Sequence, residues 1–392
     1  MGLDVEKLRA ETPGVSHSTH LLACGSGLMP QPVIDTVINH TLLEAQIGGY
    51  EAKNSQIDQL EAVYNSVARL IGAKPHEIAL QENATVAWCQ AFYAQVFKPG
   101  DRVLTCEAEY AANYIALLHR AKRDGILVEV IPSDAAGAID IAALEAMVDE
   151  RVALIAITWV PTNGGLVNPA AAVGKVARAH GIPYLLDACQ AVGQMPVDVK
   201  KLGCDFLSAT GRKFLRGPRG TGFLFIREDR IAQTDPVMLD LYAATVVGKD
   251  NYNLRDDARR FENWENSYAL RAGLGAAVDY ALSLGLAEIQ TRSRGLAETL
   301  RDMLTQIPGC TLRDIGNETC AIVSFTIEGL DPEKTAATLL EKGIVIGTSS
   351  PASTPLDGDS RGLPTVLRVA PHYYNTVGEL EQLVAELRKL VP

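Results

Sequence analysis

The sequence predicts an α/β protein with a mostly parallel central sheet covered by helices, followed by a smaller α+β unit. Two observations carry this. From about residue 30 to 230, short apolar β-rich runs alternate with amphipathic helical stretches, the pattern of a sheet buried on both faces. From about 268 the pattern changes to long helical segments leading into shorter mixed ones. No internal repeat, low-complexity tract or Pro/Gly/Ser-rich linker divides the chain. The expected organisation is a large unit over 20–265 and a small unit over 266–392, with the N-terminal arm 1–19 packing on the small one.

Taken in order, helices are expected near 31–46, 56–72, 84–97, 111–124, 140–149 and 169–180, where apolar residues recur at helical spacing. Strands are expected at Arg102–Cys106, Ile126–Ile131, Ala153–Thr158, Pro183–Asp187 and Gly222–Ile226. A further apolar run leads from Asp205 towards Thr210. The second unit reads as helices over Tyr268–Leu284 and Ala287–Ile307, strands near Ala321–Thr326 and Val366–Ala370, and a closing amphipathic helix over Val377–Leu390. Ligands of such sheets gather at the carboxyl ends of the strands, which puts Thr162, Asp187 and Thr210 near one another.

Composition excludes several classes. With 36 basic against 47 acidic residues the net charge is −11, which disfavours nucleic acid and anionic membranes as partners. No apolar stretch reaches the roughly 20 residues of a membrane span, and the charged N-terminus has no signal-peptide core. A cytoplasmic location is the expectation. The seven cysteines are odd in number and form no Cys-x-x-Cys, so small buried thiols are expected rather than disulfides. His17, His20 and Cys24 are too loosely arranged to read as a metal site, and none is expected.

Two motifs carry the chemistry. Lys213 stands alone between the apolar run and a glycine-rich turn, Gly217-Pro-Arg-Gly-Thr-Gly222. Upstream, the run Tyr184-Leu-Leu-Asp187-Ala-Cys-Gln190 ends on a carboxylate. Pyridoxal phosphate needs both groups, an amine for its aldehyde and an acid for its pyridine nitrogen. Opposite charges between that acid and the protonated ring nitrogen are expected to lower the aspartate pKa once the cofactor is bound. The cofactor's phosphate needs N–H and hydroxyl donors at a helix start, and Glu82-Asn-Ala84-Thr85 lies between a strand-like run and a helix. Thr85 alone also reads as an ordinary helix cap.

With Asp187-x-x-Gln190, the Lys213 loop and Arg368 through Tyr374-Asn-Thr376 in this order, the chain resembles the class V aminotransferase and cysteine desulfurase group of fold type I enzymes. The resemblance spans about residues 20 to 390. It implies pyridoxal 5'-phosphate as cofactor, Lys213 as the Schiff-base lysine and Asp187 as the partner of the ring nitrogen. It implies cofactor contacts from Gln190 to the phenolic oxygen, from Ala84, Thr85, Thr210 and Arg212 to the phosphate, and from Thr162 near the cofactor oxygen. Thr210 and Arg212 stand where relatives carry serine and histidine, so the phosphate geometry differs. Tyr110 stands where desulfurases place a histidine on the ring; a phenol can stack but cannot shuttle protons near neutrality. Arg368 resembles the clamp for the substrate α-carboxylate, and Tyr50 is assigned to the substrate mouth. The family also implies a homodimer with shared active sites, in which the segment around Glu265 faces the neighbour's phosphate.

Cysteine desulfurases carry sulfur on a cysteine in the loop before the carboxylate arginine. Here that loop, Gly347 to Arg361, is rich in Ser and Thr and has no cysteine, which argues against a persulfide relay there. The leading expectation is β-elimination, of the carbon–sulfur lyase type, on a cysteine-derived amino acid. A class V aminotransferase or an amino-acid epimerase is the alternative, because all three share Lys213, Asp187 and Arg368. A cofactor-binding sensor without turnover is the remote one.

Overall fold

Seven short strands build one sheet, because nearly every residue in them is apolar and covered on both faces. The computed structural model describes residues 2–391; Met1 and Pro392, the outer ends of the two expected units, lie outside the described residues. The strands are β1 (Ile78–Gln81), β2 (Arg102–Cys106), β3 (Leu127–Ile131), β4 (Val152–Thr158), β5 (Tyr184–Asp187), β6 (Phe206–Thr210) and β7 (Gly222–Ile226). Their spatial order is β1-β7-β6-β5-β4-β2-β3, with β7 antiparallel to both neighbours and the other pairings parallel. The expected α/β class with a mostly parallel sheet is what the protein has.

A second sheet of four antiparallel strands follows: β8 (Cys310–Leu312), β9 (Val323–Ile327), β10 (Gly347–Ser349) and β11 (Val366–Val369), in the order β8-β9-β11-β10. The long helices Tyr268–Leu284 and Leu286–Thr305 and the closing helix Val377–Leu390 accompany it. Thr19–His20 pairs in parallel with Ile344–Val345, and Arg9 bonds Tyr374 O and Glu379, so the N-terminal arm touches the later part of the chain. Among the described residues no single helix is long and apolar enough to cross a membrane.

Several elements differ from the sequence expectation, each for a local reason. The helix expected over 84–97, here α1 (Ala84–Tyr93), stops early, since Phe97-Lys-Pro-Gly100 cannot continue it. The helix expected over 140–149 is Ile141–Met147, capped at its start by the Asp140 carboxylate. A separate short helix, Gly49–Ser55, follows the break at Gly48 (φ 97°). The segment 347–361 is not one loop: β10 adds an edge strand, and Pro355–Ser360 forms a helical turn. An exposed hairpin, Ala244–Val246 with Tyr252–Leu254, went unread because its two strands are only three residues each.

The lysine loop is pinned at two points. Gly193 has φ 92°, and a Cβ there would lie 2.2 Å from Leu215 N, so the turn after Asp187 presses on the loop backbone. Arg216 has φ 62°, rare for a residue with a side chain. Its guanidinium is 1% exposed and donates to Leu28 O, Tyr373 Oη and Thr12 Oγ1, each at 2.6 Å. Backbone strain of this kind costs roughly 1–3 kcal/mol and persists only where the surroundings dictate it.

Candidate active site

The strand register brings the chemistry together. Thr158, Asp187 and Ser208 are neighbours across the carboxyl ends of β4, β5 and β6. On the next strand Gly222 pairs with both Thr210 and Gln81, which sets the start of α1 beside the end of β6. A Cβ on Gly222 would lie 2.6 Å from Ala209 O and 2.9 Å from Asn83 C, so only glycine lets the helix start approach this closely. The result is a cavity of about 550 Å³. It is lined by Ala84, Thr85, Tyr110, Thr162, Asp187, Gln190, Thr210, Arg212 and Lys213, nine residues predicted from sequence.

Asp187 is buried. It accepts the Asn113 amide at Oδ2 (2.9 Å) and the Cys189 N–H at Oδ1 (2.8 Å). Burial raises its proton affinity above that of an ordinary carboxylate, partly countered by Asn113, the Cys189 N–H and the Lys213 charge. The expected lowering is therefore not produced by the chain's own groups, since desolvation outweighs the one nearby cation. Lys213 is half-buried and stands beside Asp187 and the Cys189 thiol. Burial raises that thiol, and the lysine acts to lower it. Gln190 donates its amide to Cys24 O, leaving its Oε1 buried without a partner.

The helix start at α1 is capped by Asn83, whose side chain accepts from Val86 N at 2.9 Å. Asn83, not Thr85, is thus the cap. Thr85 is exposed in the first turn and lines the cavity. Thr210 donates weakly to Thr221 O at 3.3 Å, and Arg212 donates to Gly25 O, so part of its guanidinium is committed to the N-terminal segment. Tyr110 is 39% exposed at the cavity edge, and opens the helix α2 (Ala111–Asp124).

Arg368, on β11, does not line the cavity directly but reaches its edge. It donates to Thr162 O (3.0 Å) and Thr162 Oγ1 (2.5 Å), and its Nε is buried without a partner. Next to Thr162, Asn163 holds the segment 347–361: it accepts from Ser349 Oγ (2.5 Å) and donates to Thr354 Oγ1 (2.7 Å). Tyr50 does not line the cavity; it is 64% exposed on the short helix Gly49–Ser55. Near Glu265, Trp264 N donates to Asp240 and Lys53 lies over the Trp264 ring, so this segment is ordered by its own chain.

Sequence reasoning missed Asn113, Thr158, Cys189 and Glu109. All but Glu109 line the cavity. Glu109 lies just beneath, 1% exposed, accepting from Thr158 Oγ1, Thr105 Oγ1, Asn113 Nδ2 and Tyr110 N. The available signal was Glu109 just before a helix start and Asn113 in its first turn, following an apolar strand.

The aminotransferase class-V family model matches residues 19–383. A "Cysteine desulfurase" of Yersinia pestis bv. Antiqua (strain Angola) is 30% identical over 408 residues, covering 100% of this chain and 99% of that protein. A "Probable cysteine desulfurase" of Methanothermobacter thermautotrophicus is 29% identical over 391 residues, covering 98% of each. Among solved structures, the apo cysteine desulfurase from Thermococcus onnurineus NA1 superposes with a TM-score of 0.91 at 26% identity, over 98% of both chains.

Proposed function

Because the chain belongs to the aminotransferase class-V family, we propose that it is a pyridoxal 5'-phosphate-dependent lyase acting on the carbon–sulfur bond of a cysteine-derived amino acid. The carrying observation is one cavity lined by an amine, Lys213, and a buried acid, Asp187, with a guanidinium, Arg368, at its edge. The residues fit the cofactor. Gln190 Oε1 and Arg368 Nε are buried polar atoms without partners, and Gly222 seats a capped helix start where a phosphate would meet N–H and hydroxyl donors. Asn83, Thr85, Thr210 and Arg212 would hold the phosphate, Asp187 the ring nitrogen and Lys213 the aldehyde carbon. When bound, the group supplies covalent capture of the amino group and a cationic ring that accepts the electron pair left at Cα.

The chain's residues do the rest. Arg368 orients the substrate carboxylate through its planar fork, and Thr162 holds that fork in place. Lys213 removes the Cα proton and returns a proton to the departing sulfur. Cleavage at Cβ then gives a thiol, and water addition to the remaining three carbons gives pyruvate and ammonia. Elimination is favoured over a persulfide relay because the segment 347–361 has no cysteine and is tied to Asn163 through Ser349 and Thr354. Assaying the holoenzyme with cysteine and cysteine thioethers tests this: thiol, pyruvate and ammonia in equal amounts are expected. Strict dependence on an added keto acid would instead make it a transaminase.

The homodimer is part of the same reading. Ile38, Leu42, Ile47 and Tyr50 on neighbouring helices, and Val246 and Tyr252 on the hairpin, are apolar side chains left exposed. Light scattering giving twice the chain mass is expected. The seven cysteines, all unpaired, support a reducing compartment such as the cytoplasm.

A further inference from the structure

Beneath the cavity floor lies a second buried carboxylate that no step above uses. Glu109 and Asp187 are joined through one amide: Asn113 Nδ2 donates to Glu109 Oε1 at 2.8 Å and to Asp187 Oδ2 at 2.9 Å. Every hydrogen bond that reaches Glu109 comes from a donor. Thr158 Oγ1 (2.5 Å), Thr105 Oγ1 (3.0 Å) and Tyr110 N (2.9 Å) supply the others, and the Cys106 thiol points at it from 3.6 Å. Such a cage fits an ionised carboxylate or a carboxyl whose proton lies between it and a hydroxyl. The titratable groups around it are Cys106 on β2 and Asp187 on β5, with Cys189 and Lys213 beyond Asp187.

We infer that Glu109 is a positioning residue for Asp187: through Asn113 it fixes where that carboxylate lies, and its charge sets how firmly Asp187 holds a proton donor in the cavity. The inference rests on the lyase reading only in taking Asp187 as the partner of the cofactor's ring nitrogen. With Glu109 ionised, Asp187 sits beside a second negative charge and binds a protonated ring nitrogen more tightly. With Glu109 neutral, that support is lost and its hydrogen bond from Asn113 weakens to one between neutral groups. Burial pushes the Glu109 carboxyl up to about 7, against the hydrogen bonds from Thr158 and Asn113 that lower it, so the change falls near neutrality.

The sign for stability follows from the same shift. Between the ordinary carboxylate range and about 7 the folded protein holds more protons at this site than the unfolded chain. Glu109 therefore withdraws stability as pH rises through that window. Function runs the other way, since the ionised form supports Asp187.

The test uses the holoenzyme as wild type, Glu109→Gln and Thr158→Val. The readouts are the absorbance of bound cofactor and the kcat and KM for a cysteine thioether across neutral pH. In the wild type, kcat and absorbance should both change with an inflection near 7, kcat falling on the acid side while KM hardly moves. Glu109→Gln should lose the inflection and run roughly tenfold slower on the alkaline side, as one charged hydrogen-bond network is removed. Thr158→Val should move the inflection upward, because its hydroxyl favours the ionised form. Should Glu109→Gln fail to fold, Thr158→Val decides alone. Variant profiles that superimpose on the wild type, or a wild type without the inflection, overturn the inference whatever the melting temperatures. The absorbance readout does not depend on which product forms, so its failure and the failure of the lyase assay are distinct results.

Discussion

The floor of this cavity and the segment 347–361, tied to Asn163 next to the lining residue Thr162, are built on different principles. The floor is backbone register: Thr158, Asp187 and Ser208 sit side by side because three fully covered parallel strands leave no other pairing. The segment 347–361 is an edge strand and a helical turn held largely by side chains. Ser349 and Thr354 bond Asn163, and Asp357 N bonds Glu107 O. Changing a register exchanges every buried side chain of a strand, whereas changing a side-chain clasp alters one or two polar contacts. The acid at the end of β5 is thus fixed by the register of buried strands, while the segment 347–361 depends on a few polar contacts.

The largest effect should come from the floor. Lys213→Ala is expected to abolish the borohydride-reducible link to the cofactor and to slow turnover by roughly three orders of magnitude. A link that survives at another lysine would break the contrast at its root. Arg368 bridges the two regions, and Arg368→Lys should raise KM and lower kcat/KM by roughly tenfold or more, since a lysine cannot reproduce the fork held by Thr162. An unchanged KM would move carboxylate recognition elsewhere.

Smaller effects separate the regions more sharply. Asn163→Ala removes the clasp, and limited proteolysis should cut within 347–361 roughly tenfold faster while the global melting transition hardly moves. Equal loss of global stability would mean that this segment belongs to the core. Asn83→Ala removes a helix cap at the proposed phosphate end and should cost about 1 kcal/mol, read by denaturant unfolding, with weaker cofactor retention. Loss of retention without loss of stability would assign Asn83 to the ligand rather than to the helix.

What the sequence revealed follows the same division. Asp187 was legible because it is a charge ending an apolar run, and Lys213 because it stands between an apolar run and a glycine-rich turn. Asn83 was hidden by Thr85, two residues on, since both are capping types and only backbone geometry separates them. The Thr162–Arg368 bond joins residues 206 positions apart, and no local pattern encodes it. Glu109 escaped notice because a glutamate four residues before an asparagine is ordinary on a solvated helix; only its burial beneath Asp187 gives it meaning. Tyr50, assigned to the substrate mouth, instead lies exposed on a separate short helix that begins after Gly48.

Arg216 links distant stretches of sequence at one atom cluster. Its acceptors come from Thr12 and Leu28 near the beginning of the chain and Tyr373 near its end, and between them they splint the catalytic lysine's own turn. Removing the first dozen residues therefore takes away more than a loose tail. It leaves a desolvated cation one acceptor short, three positions from the amine on which turnover depends, so an N-terminal tag or trimming placed there reaches the chemistry through the skeleton.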